Sequence, residues 1–158
     1  TLLIDLLTLE EKKIDRRTRR IRFDIERLAE RVVGAGDWLR EQSETKDLNV
    51  GLFGSSTGAA AALIAAADRP AVARAVVSRG GRVDMAEGVL DEVEAATLFI
   101  VGGRDAQVLS LNRQALAELE TEKKLEVVEG AGHLFEEPGA LDEVARLTRE
   151  WFQRHLAS

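Results

Sequence analysis

The stretch NVGLFGSSTGAAAAL, residues 49–63, decides the fold. Its first half contains the apolar run VGLF and predicts a short strand, and its alanine-rich second half predicts a helix that continues to residue 67. The five residues between them, GSSTG, are small enough to let a strand and a helix approach closely. The stretch therefore predicts a sharp strand-to-helix turn with Ser56 at its centre.

The turn GSSTG matches the pattern G-x-S-x-G, in which a strained backbone lifts the middle serine out of the sheet. The same turn leaves the first amides of the helix without partners, so that they can bind an oxyanion. Two phosphate-binding motifs do not fit. A P-loop needs Gly-Lys-Ser/Thr, but Ala59 follows Gly58, and Gly51 and Gly54 lack the spacing of a dinucleotide fingerprint. A small-residue turn in another kind of α/β protein stays open for the motif alone.

Length and composition limit the class of protein. A chain of 158 residues predicts one domain, residues 1–158. The absence of cysteine excludes disulfide and thiolate chemistry, and two histidines make a zinc site unfavourable. A net charge of -6 argues against nucleic acid as a partner. With no signal peptide and no apolar run long enough for a bilayer, we expect a cytoplasmic protein with no membrane partner.

Apolar and helical patterns alternate along the chain. Strands are predicted at residues 1–7, 50–53, 73–78, 96–101 and 125–128, and helices at residues 23–40, 59–67, 109–119 and 139–156. Residues 8–20 are predicted as a charged loop that runs into a helix, and residues 85–93 as a short helix or turn. This alternation predicts an α/β fold, a mostly parallel sheet with helices on both faces.

Three polar residues follow predicted strands, in the order Ser56, Asp105, His133. Ligands of parallel sheets bind beyond the carboxyl ends of the strands, so we expect these side chains to meet there. A serine hydroxyl needs an imidazole to take its proton, and the imidazole needs a carboxylate to orient it. The sequence therefore predicts a Ser-His-Asp triad, which requires neither metal nor cofactor.

Each member of the predicted triad has a structural alternative. Asp105 is equally suited to cap a turn or a helix, and His133 to bond a loop backbone. Asp84, which also follows a strand between the serine and the histidine, is the second candidate for the acid. All three residues follow predicted strands, and they do so in the order serine, aspartate, histidine, which favours the triad.

Two arginines border the predicted site. Arg79 and Arg82 follow the third predicted strand and are candidates to bind a carboxylate or phosphate of the substrate. The alternative is a structural ion pair with Asp84 or Glu87. A basic cluster before residue 23 is interpreted as a solvated or ion-paired face, with an anion-collecting rim as the minor alternative; its members are Lys12, Lys13, Arg16, Arg17, Arg19, Arg20 and Arg22.

The segments GLFGSSTGAAAAL, LFIVGGRD and VVEGAGHLFEEPG resemble the α/β-hydrolase superfamily, specifically its dienelactone-hydrolase-like branch. They are similar to the hydrolase portion of proteins in which this domain stands alone or is fused to a phosphoribosyltransferase. The resemblance covers nearly the whole chain. It implies that Ser56 is the nucleophile, Asp105 the acid, His133 the base, and the Thr57 amide one oxyanion donor.

The chain departs from the family pattern in two ways. Dienelactone hydrolases carry a cysteine nucleophile, so the serine here indicates an esterase-like relative. The resemblance also implies an earlier strand whose loop supplies a second oxyanion amide, whereas Thr1 already falls within what looks like the fourth strand. We therefore expect an α/β-hydrolase-like domain that lacks its N-terminal strands, completed by a further segment of a longer polypeptide or by a second copy of the chain.

These patterns predict a serine hydrolase that cleaves an ester, thioester or lactone of a small molecule through an acyl-enzyme, without a cofactor. An alternative of a different class is a catalytically silent module of the same fold, used for binding or assembly. Chemistry other than ester hydrolysis on the same triad also stays open, because the fold hosts many reactions.

Overall fold

The turn at Ser56 joins the first strand of a four-stranded sheet to a helix. A computed structural model of the chain describes residues 1–157. Within these residues the helices, α1 to α5, are Leu9–Thr18, Ile25–Glu41, Thr57–Asp68, Ala106–Glu118 and Ala140–Leu156. The strands, β1 to β4, are Val50–Ser55, Ala73–Arg79, Ala96–Gly102 and Lys123–Val128. Short 3₁₀ turns occupy Ile21–Phe23, Val83–Ala86 and Leu90–Glu92.

All four strands are parallel and lie in the order β1-β2-β3-β4. The register pairs Ser55 with Arg79 and Arg79 with Ile100, so the ends of β1 and β2 are neighbours. Because parallel strands run in one direction, the segments that follow them emerge at one edge of the sheet. The predicted parallel sheet is confirmed, and this edge is where the three predicted catalytic residues arise.

Helices cover both faces of the sheet, as predicted. On one face α3 and α4 pack on the strands and α2 packs on α3, around a core that includes Val76 and Phe99. On the other face α5 packs Val144 and Trp151 against Val77, Leu98 and Ile100. The strands are apolar on both sides because both sides are buried.

Residues 1–7 do not form the strand that their apolar composition predicts. They are mostly exposed, and Leu3 is 90% exposed. A strand needs a neighbour to pair with its backbone, and β1, at the edge of the sheet, pairs only with β2. The end of the segment is held by a side chain instead, since the Arg31 guanidinium donates to the Leu6 carbonyl oxygen. The prediction was wrong because it weighed apolar composition without a pairing partner.

Helix α1 begins inside the segment predicted as a charged loop. Thr8 Oγ1 accepts the Glu11 N–H at 3.2 Å, and the Glu11 carboxylate accepts the Thr8 N–H at 2.8 Å, which together form a capping box. The Arg31 guanidinium of α2 also binds Glu11, and this hydrogen bond is the main reason that the pKa of Glu11 falls to about 2. The spacing Thr8-x-x-Glu11 was the sequence signal for this helix start.

An apolar groove of about 890 Å³ runs along the free edge of β1. Residues 1–4 and Leu6, together with α2, β1 and the end of α5, line it. Large apolar side chains remain partly open there, with Trp38 51% and Phe53 49% exposed. Unpaired edge strands readily accept a further strand, so the groove is the natural place for one to join.

We expect Gly54→Ala to destabilise the fold by about 3 kcal/mol, because a Cβ at this position meets backbone that has no room to move. It would lie 2.3 Å from the Gly58 carbonyl oxygen and 2.6 Å from the Ala59 Cα. The matched control is Gly58→Ala, whose Cβ meets only Leu6 Cδ1 at 3.7 Å. Urea unfolding measures both variants. A stable Gly54→Ala protein, or equal losses in the two variants, would contradict the close strand-to-helix approach.

Candidate active site

Ser56 sits in a strained turn between β1 and α3. Its backbone has φ 52° and ψ -121°, a conformation that costs free energy for any residue with a side chain. Hydrogen bonds with the end of β2 and with the loop after it hold Ser56 there: the Ser56 N–H donates to the Arg79 carbonyl oxygen at 3.2 Å, and the Arg82 N–H donates to the Ser56 carbonyl oxygen at 3.0 Å. Strain of this kind, fixed from both sides, is typical of a functional position.

Thr57 is the first residue of α3, directly after the serine. The first N–H groups of a helix have no acceptor within the helix and carry the positive end of its dipole. The Thr57 amide therefore lies where the sequence predicts an oxyanion donor.

Asp105 and His133 are brought together by the loops that follow β3 and β4. The His133 Nδ1 lies 2.7 Å from the Asp105 Oδ2, and the Asp105 side chain is only 15% exposed. The other carboxylate oxygen of Asp105 accepts the Val108 N–H at 3.4 Å and so caps α4. The contact with His133 that the catalytic interpretation requires and the helix cap that the alternative requires are therefore both present, each on a different oxygen of the Asp105 carboxylate.

His133 also lies beside the turn that holds Ser56. A Cβ added to Gly80 would be 3.5 Å from the His133 Nδ1, and Gly80 follows Arg79, whose carbonyl oxygen binds the Ser56 N–H. The imidazole therefore packs on the residue next to the backbone that fixes the serine. Ser56, His133 and Asp105 occupy one edge of the sheet.

The loop that carries His133 is held by Glu137 and Arg104, neither of which the sequence analysis singled out. Both Glu137 carboxylate oxygens lie 3.1 Å from the Gly132 nitrogen, and Arg104, next to Asp105, forms an ion pair with Glu137. Gly102 admits the loop, because a Cβ there would lie 2.5 Å from the Ala131 carbonyl oxygen. This clamp ties the loop of Asp105 to the loop of His133. The only sequence signal was the charge of these two residues beside the predicted acid and base.

Glu137→Gln is expected to lower kcat by roughly tenfold with a smaller change in KM, because the His133 loop loses the charged acceptor of its backbone. Hydrogen bonds from its own backbone N–H and from Gly132, together with Arg104, lower the pKa of Glu137. The lowered pKa of Glu137 stabilises the folded protein at pH values above the pKa that this carboxyl has in the unfolded chain. That stability is lost as the pH falls through the lower pKa of the folded protein.

The melting temperature gives the pH test of the clamp. The wild type is expected to exceed Glu137→Gln most at neutral pH, and the difference is expected to shrink as pH falls below 4.5, the ordinary pKa of a glutamate. Glu136→Gln, at the exposed preceding position, is the control. A difference that stays constant down to acid pH would contradict the clamp.

The two arginines predicted to bind substrate differ in their partners. Arg82 donates to both carboxylate oxygens of Asp84 at 2.9 and 2.8 Å, which raises the pKa of the Arg82 guanidinium. Asp84, the second candidate for the acid, is thus engaged by Arg82, while His133 is paired with Asp105.

Arg79 has no carboxylate partner within residues 1–157. It donates to Ser55 Oγ at 2.6 Å and lies 5.5 Å from the centre of the Phe135 ring, and burial lowers the pKa of its guanidinium. Its Nε is buried without a hydrogen-bond partner. An unneutralised guanidinium beside Ser55, the residue before Ser56, is suited to bind an anion.

Two searches of the described chain were negative. Residues 1–157 contain no group of three or more His, Asp or Glu side chains placed to hold a metal ion. Among the helices of the same residues, none has the length and apolar character needed to cross a membrane.

Comparisons with known proteins identify a matching family and solved structures of similar fold. The family model described as the dienelactone hydrolase family matches residues 8–157. A crystal structure of dienelactone hydrolase from Anabaena variabilis is 57% identical, superposes with a TM-score of 0.96, and is matched over 99% of this chain and 73% of that one. A monoacylglycerol lipase of Paleococcus ferrophilus, 18% identical with a TM-score of 0.69 over 83% of this chain and 76% of its own, shares the fold.

A curated relative from Mycobacterium tuberculosis, named as a phosphoribosyl transferase, is 55% identical over 156 residues. The match takes in 99% of this chain but 34% of the relative, so the chain spans about a third of the length of the curated relatives it matches.

Proposed function

The chain belongs to the dienelactone hydrolase family, and from this premise we propose that it is a serine hydrolase that cleaves an ester, thioester or lactone of a small molecule. The observation that carries the proposal is the hydrogen bond between Asp105 and His133, at 2.7 Å, beside the strained turn of Ser56. A partly buried carboxylate that orients an exposed imidazole beside the turn of a strained serine has the composition of a hydrolytic triad.

In the proposed reaction, His133 accepts the Ser56 hydroxyl proton while the oxygen attacks the substrate carbonyl carbon. The Asp105 carboxylate fixes the histidine tautomer and stabilises the imidazolium that forms. The Thr57 amide donates to the oxyanion. Collapse of the tetrahedral intermediate breaks the bond to the leaving group, which takes the proton from His133. Water, activated by the same imidazole, then hydrolyses the acyl-enzyme and restores Ser56.

A fluorophosphonate probe tests the proposal directly, since it labels only an activated serine. We expect covalent labelling at Ser56, together with hydrolysis of short-chain 4-nitrophenyl esters. The second candidate function is a silent module used for binding or assembly, which the open groove along β1 favours. A folded protein that neither reacts with the probe nor cleaves any ester of the panel would support that candidate instead.

We also propose that a further strand completes the sheet beside β1 and brings the second oxyanion amide, either from another segment of the same polypeptide or from a second copy. Support comes from the unpaired edge of β1, the apolar groove along it and the half-exposed Phe53. Without that amide, turnover is expected to fall by roughly 10²- to 10³-fold. Native mass spectrometry combined with activity tests it: an efficient monomer of 158 residues would contradict the idea.

Among the two arginines, Arg79 is proposed to contact an anionic part of the substrate, whereas Arg82 contributes through its backbone bond to Ser56. Arg79→Ala is expected to raise KM for an anionic ester by about tenfold, because a charge-assisted hydrogen bond is lost. Arg74→Ala, an exposed arginine at the other end of β2, is the control. Equal KM values for the two variants, on anionic and neutral esters alike, would remove Arg79 from the binding site.

A further inference from the structure

Asn112 is a buried polar side chain in the middle of α4 that the proposed mechanism does not use. It is 0% exposed, although asparagine is a poor helix former and a buried amide needs partners for all its polar atoms. Its Nδ2 donates to the Val108 carbonyl oxygen at 2.8 Å and to the Gly81 carbonyl oxygen at 2.9 Å. Its Oδ1 is buried without a hydrogen-bond partner within residues 1–157. A residue that breaks local preference in this way indicates a role for the bond that leaves the helix.

The Gly81 carbonyl belongs to the peptide group that holds the Ser56 turn. A trans peptide group is planar, so the carbonyl of Gly81 and the N–H of Arg82 point in opposite directions and move together. This N–H donates to the Ser56 carbonyl oxygen at 3.0 Å. Asn112 therefore binds one end of a peptide group whose other end binds the strained serine.

Packing around Gly81 leaves this peptide little room. A Cβ at Gly81 would lie 2.1 Å from Ser78 Oγ and 2.8 Å from Ala59 Cβ, so β2 and α3 close in on it from two sides. These contacts exclude a side chain, and the hydrogen bond from Asn112 on α4 sets the direction of the carbonyl. The loop after β2 is thus fixed by three elements next to the serine.

Helix α4 also carries the carboxylate that contacts the histidine. The Val108 N–H donates to Asp105 Oδ1 at 3.4 Å, and the Val108 carbonyl oxygen accepts from Asn112. About two helical turns separate Asp105, which orients His133, from the amide that holds the Ser56 turn. A rigid helix therefore sets the distance between the two supports of the candidate site.

We propose that Asn112 is a positioning residue: its bond to the Gly81 carbonyl fixes the Gly81–Arg82 peptide, and through it the orientation of Ser56 toward His133. The effect on catalysis rests on the proposed hydrolase function, whereas the bond itself is measured without substrate. Asn112 acts through a peptide group rather than on the reacting atoms. Its loss should therefore slow the chemical step and leave KM nearly unchanged.

Two substitutions separate the bond to Gly81 from the bond within the helix. Asn112→Ala removes both bonds. Asn112→Ser retains a hydroxyl that donates to the Val108 carbonyl four residues back but falls short of Gly81. We expect both variants to lower kcat for 4-nitrophenyl acetate, and the rate of fluorophosphonate labelling, by roughly tenfold, with KM within about twofold of the wild type.

Thr97→Val is the matched control for the loss of a buried hydrogen bond. Thr97 is also 0% exposed, and its hydroxyl donates to the Ala95 carbonyl oxygen at 2.9 Å, near the start of β3 and away from Asp105. We expect a lower melting temperature with the kcat and labelling rate of the wild type. A loss of kcat equal to that of Asn112→Ala would assign the effect to general destabilisation and overturn the proposal.

Hydrogen exchange measured by NMR follows the positioning without substrate. The Arg82 N–H is expected to exchange about tenfold faster in both Asn112 variants, relative to the Gly80 N–H, which donates to the Ile100 carbonyl oxygen at 2.8 Å and reports general opening of the sheet. If neither variant folds, the wild type decides, since the Asn112 side-chain NH₂ should exchange slowly. Fast exchange of that group would overturn the proposal.

The two readouts separate this proposal from the hydrolase proposal. Ester hydrolysis with an unchanged ratio of Arg82 to Gly80 exchange would overturn the role of Asn112 alone. Faster Arg82 exchange with wild-type kcat and labelling would also overturn it. A wild-type protein that reacts with neither probe nor ester would overturn the hydrolase, and the exchange ratio then decides by itself whether Asn112 holds the Ser56 turn.

Discussion

Ser56→Ala is expected to lower kcat for ester hydrolysis by roughly 10⁶-fold and to abolish fluorophosphonate labelling. The substitution removes only the hydroxyl that is proposed to attack the substrate. Alanine meets the same backbone strain at φ 52° as serine, so the turn itself gains no new clash. The loss should therefore appear in kcat, with the melting temperature close to that of the wild type.

Ser55→Ala is the matched control for this experiment. Ser55 is the adjacent serine, and its hydroxyl accepts a hydrogen bond from the Arg79 guanidinium at 2.6 Å. We expect Ser55→Ala to be labelled by the probe at Ser56 with most of its activity retained. If the probe instead marks Ser55, or if Ser56→Ala still turns over esters at the wild-type rate, the assignment of the nucleophile is wrong.

Asp105→Asn is expected to lower kcat by about 10⁴-fold, the second largest effect. An asparagine side chain cannot stabilise the imidazolium, and it allows the wrong histidine tautomer. The variant isolates chemistry from folding, because asparagine caps helices as well as aspartate does and can still accept the Val108 N–H. Rates measured across pH follow the chemistry of the variant. Circular dichroism of the whole chain shows whether its helix content, and so its folding, is retained.

Asp84→Asn tests the other candidate for the acid. Its carboxylate binds Arg82, so its loss should weaken the loop after β2 and cost far less activity than Asp105→Asn. A larger loss of kcat in Asp84→Asn than in Asp105→Asn would transfer the role of the acid to Asp84.

The sequence predicted the fold correctly where the apolar pattern of a segment matches its burial in the sheet. The run around Val76 and the run ending at Val101 are buried on both faces, and their apolar composition identified them as strands. Residues 1–7 have the same composition but lie beyond the last paired strand, so composition alone could not place them. Helix α1 was missed as a helix because its stability comes from the cap at Thr8 and from ion pairs rather than from an apolar face.

The sequence predicted which residues of the candidate site lie together, but it did not predict the hydrogen bonds and ion pairs that hold them in place. Strand ends and the Ser-Asp-His order selected the residues that gather at one edge. The partner of each arginine could not be read from spacing, since Arg79 and Arg82 are three positions apart and only Arg82 has its guanidinium paired with Asp84. The contact of Glu137 with Gly132 likewise depends on how the loop after β4 folds back.

The strand order β1-β2-β3-β4 repeats the order in which the strands are synthesised. A nascent chain can therefore add each new strand to a finished neighbour as it leaves the ribosome. Among the described strands, β1 precedes Ser56 and β4 precedes His133, so the histidine is synthesised well after the serine. Products released before β4 and the loop after it would lack His133, the proposed proton acceptor of Ser56, and so we expect the proposed nucleophile to stay unreactive until that loop has been synthesised.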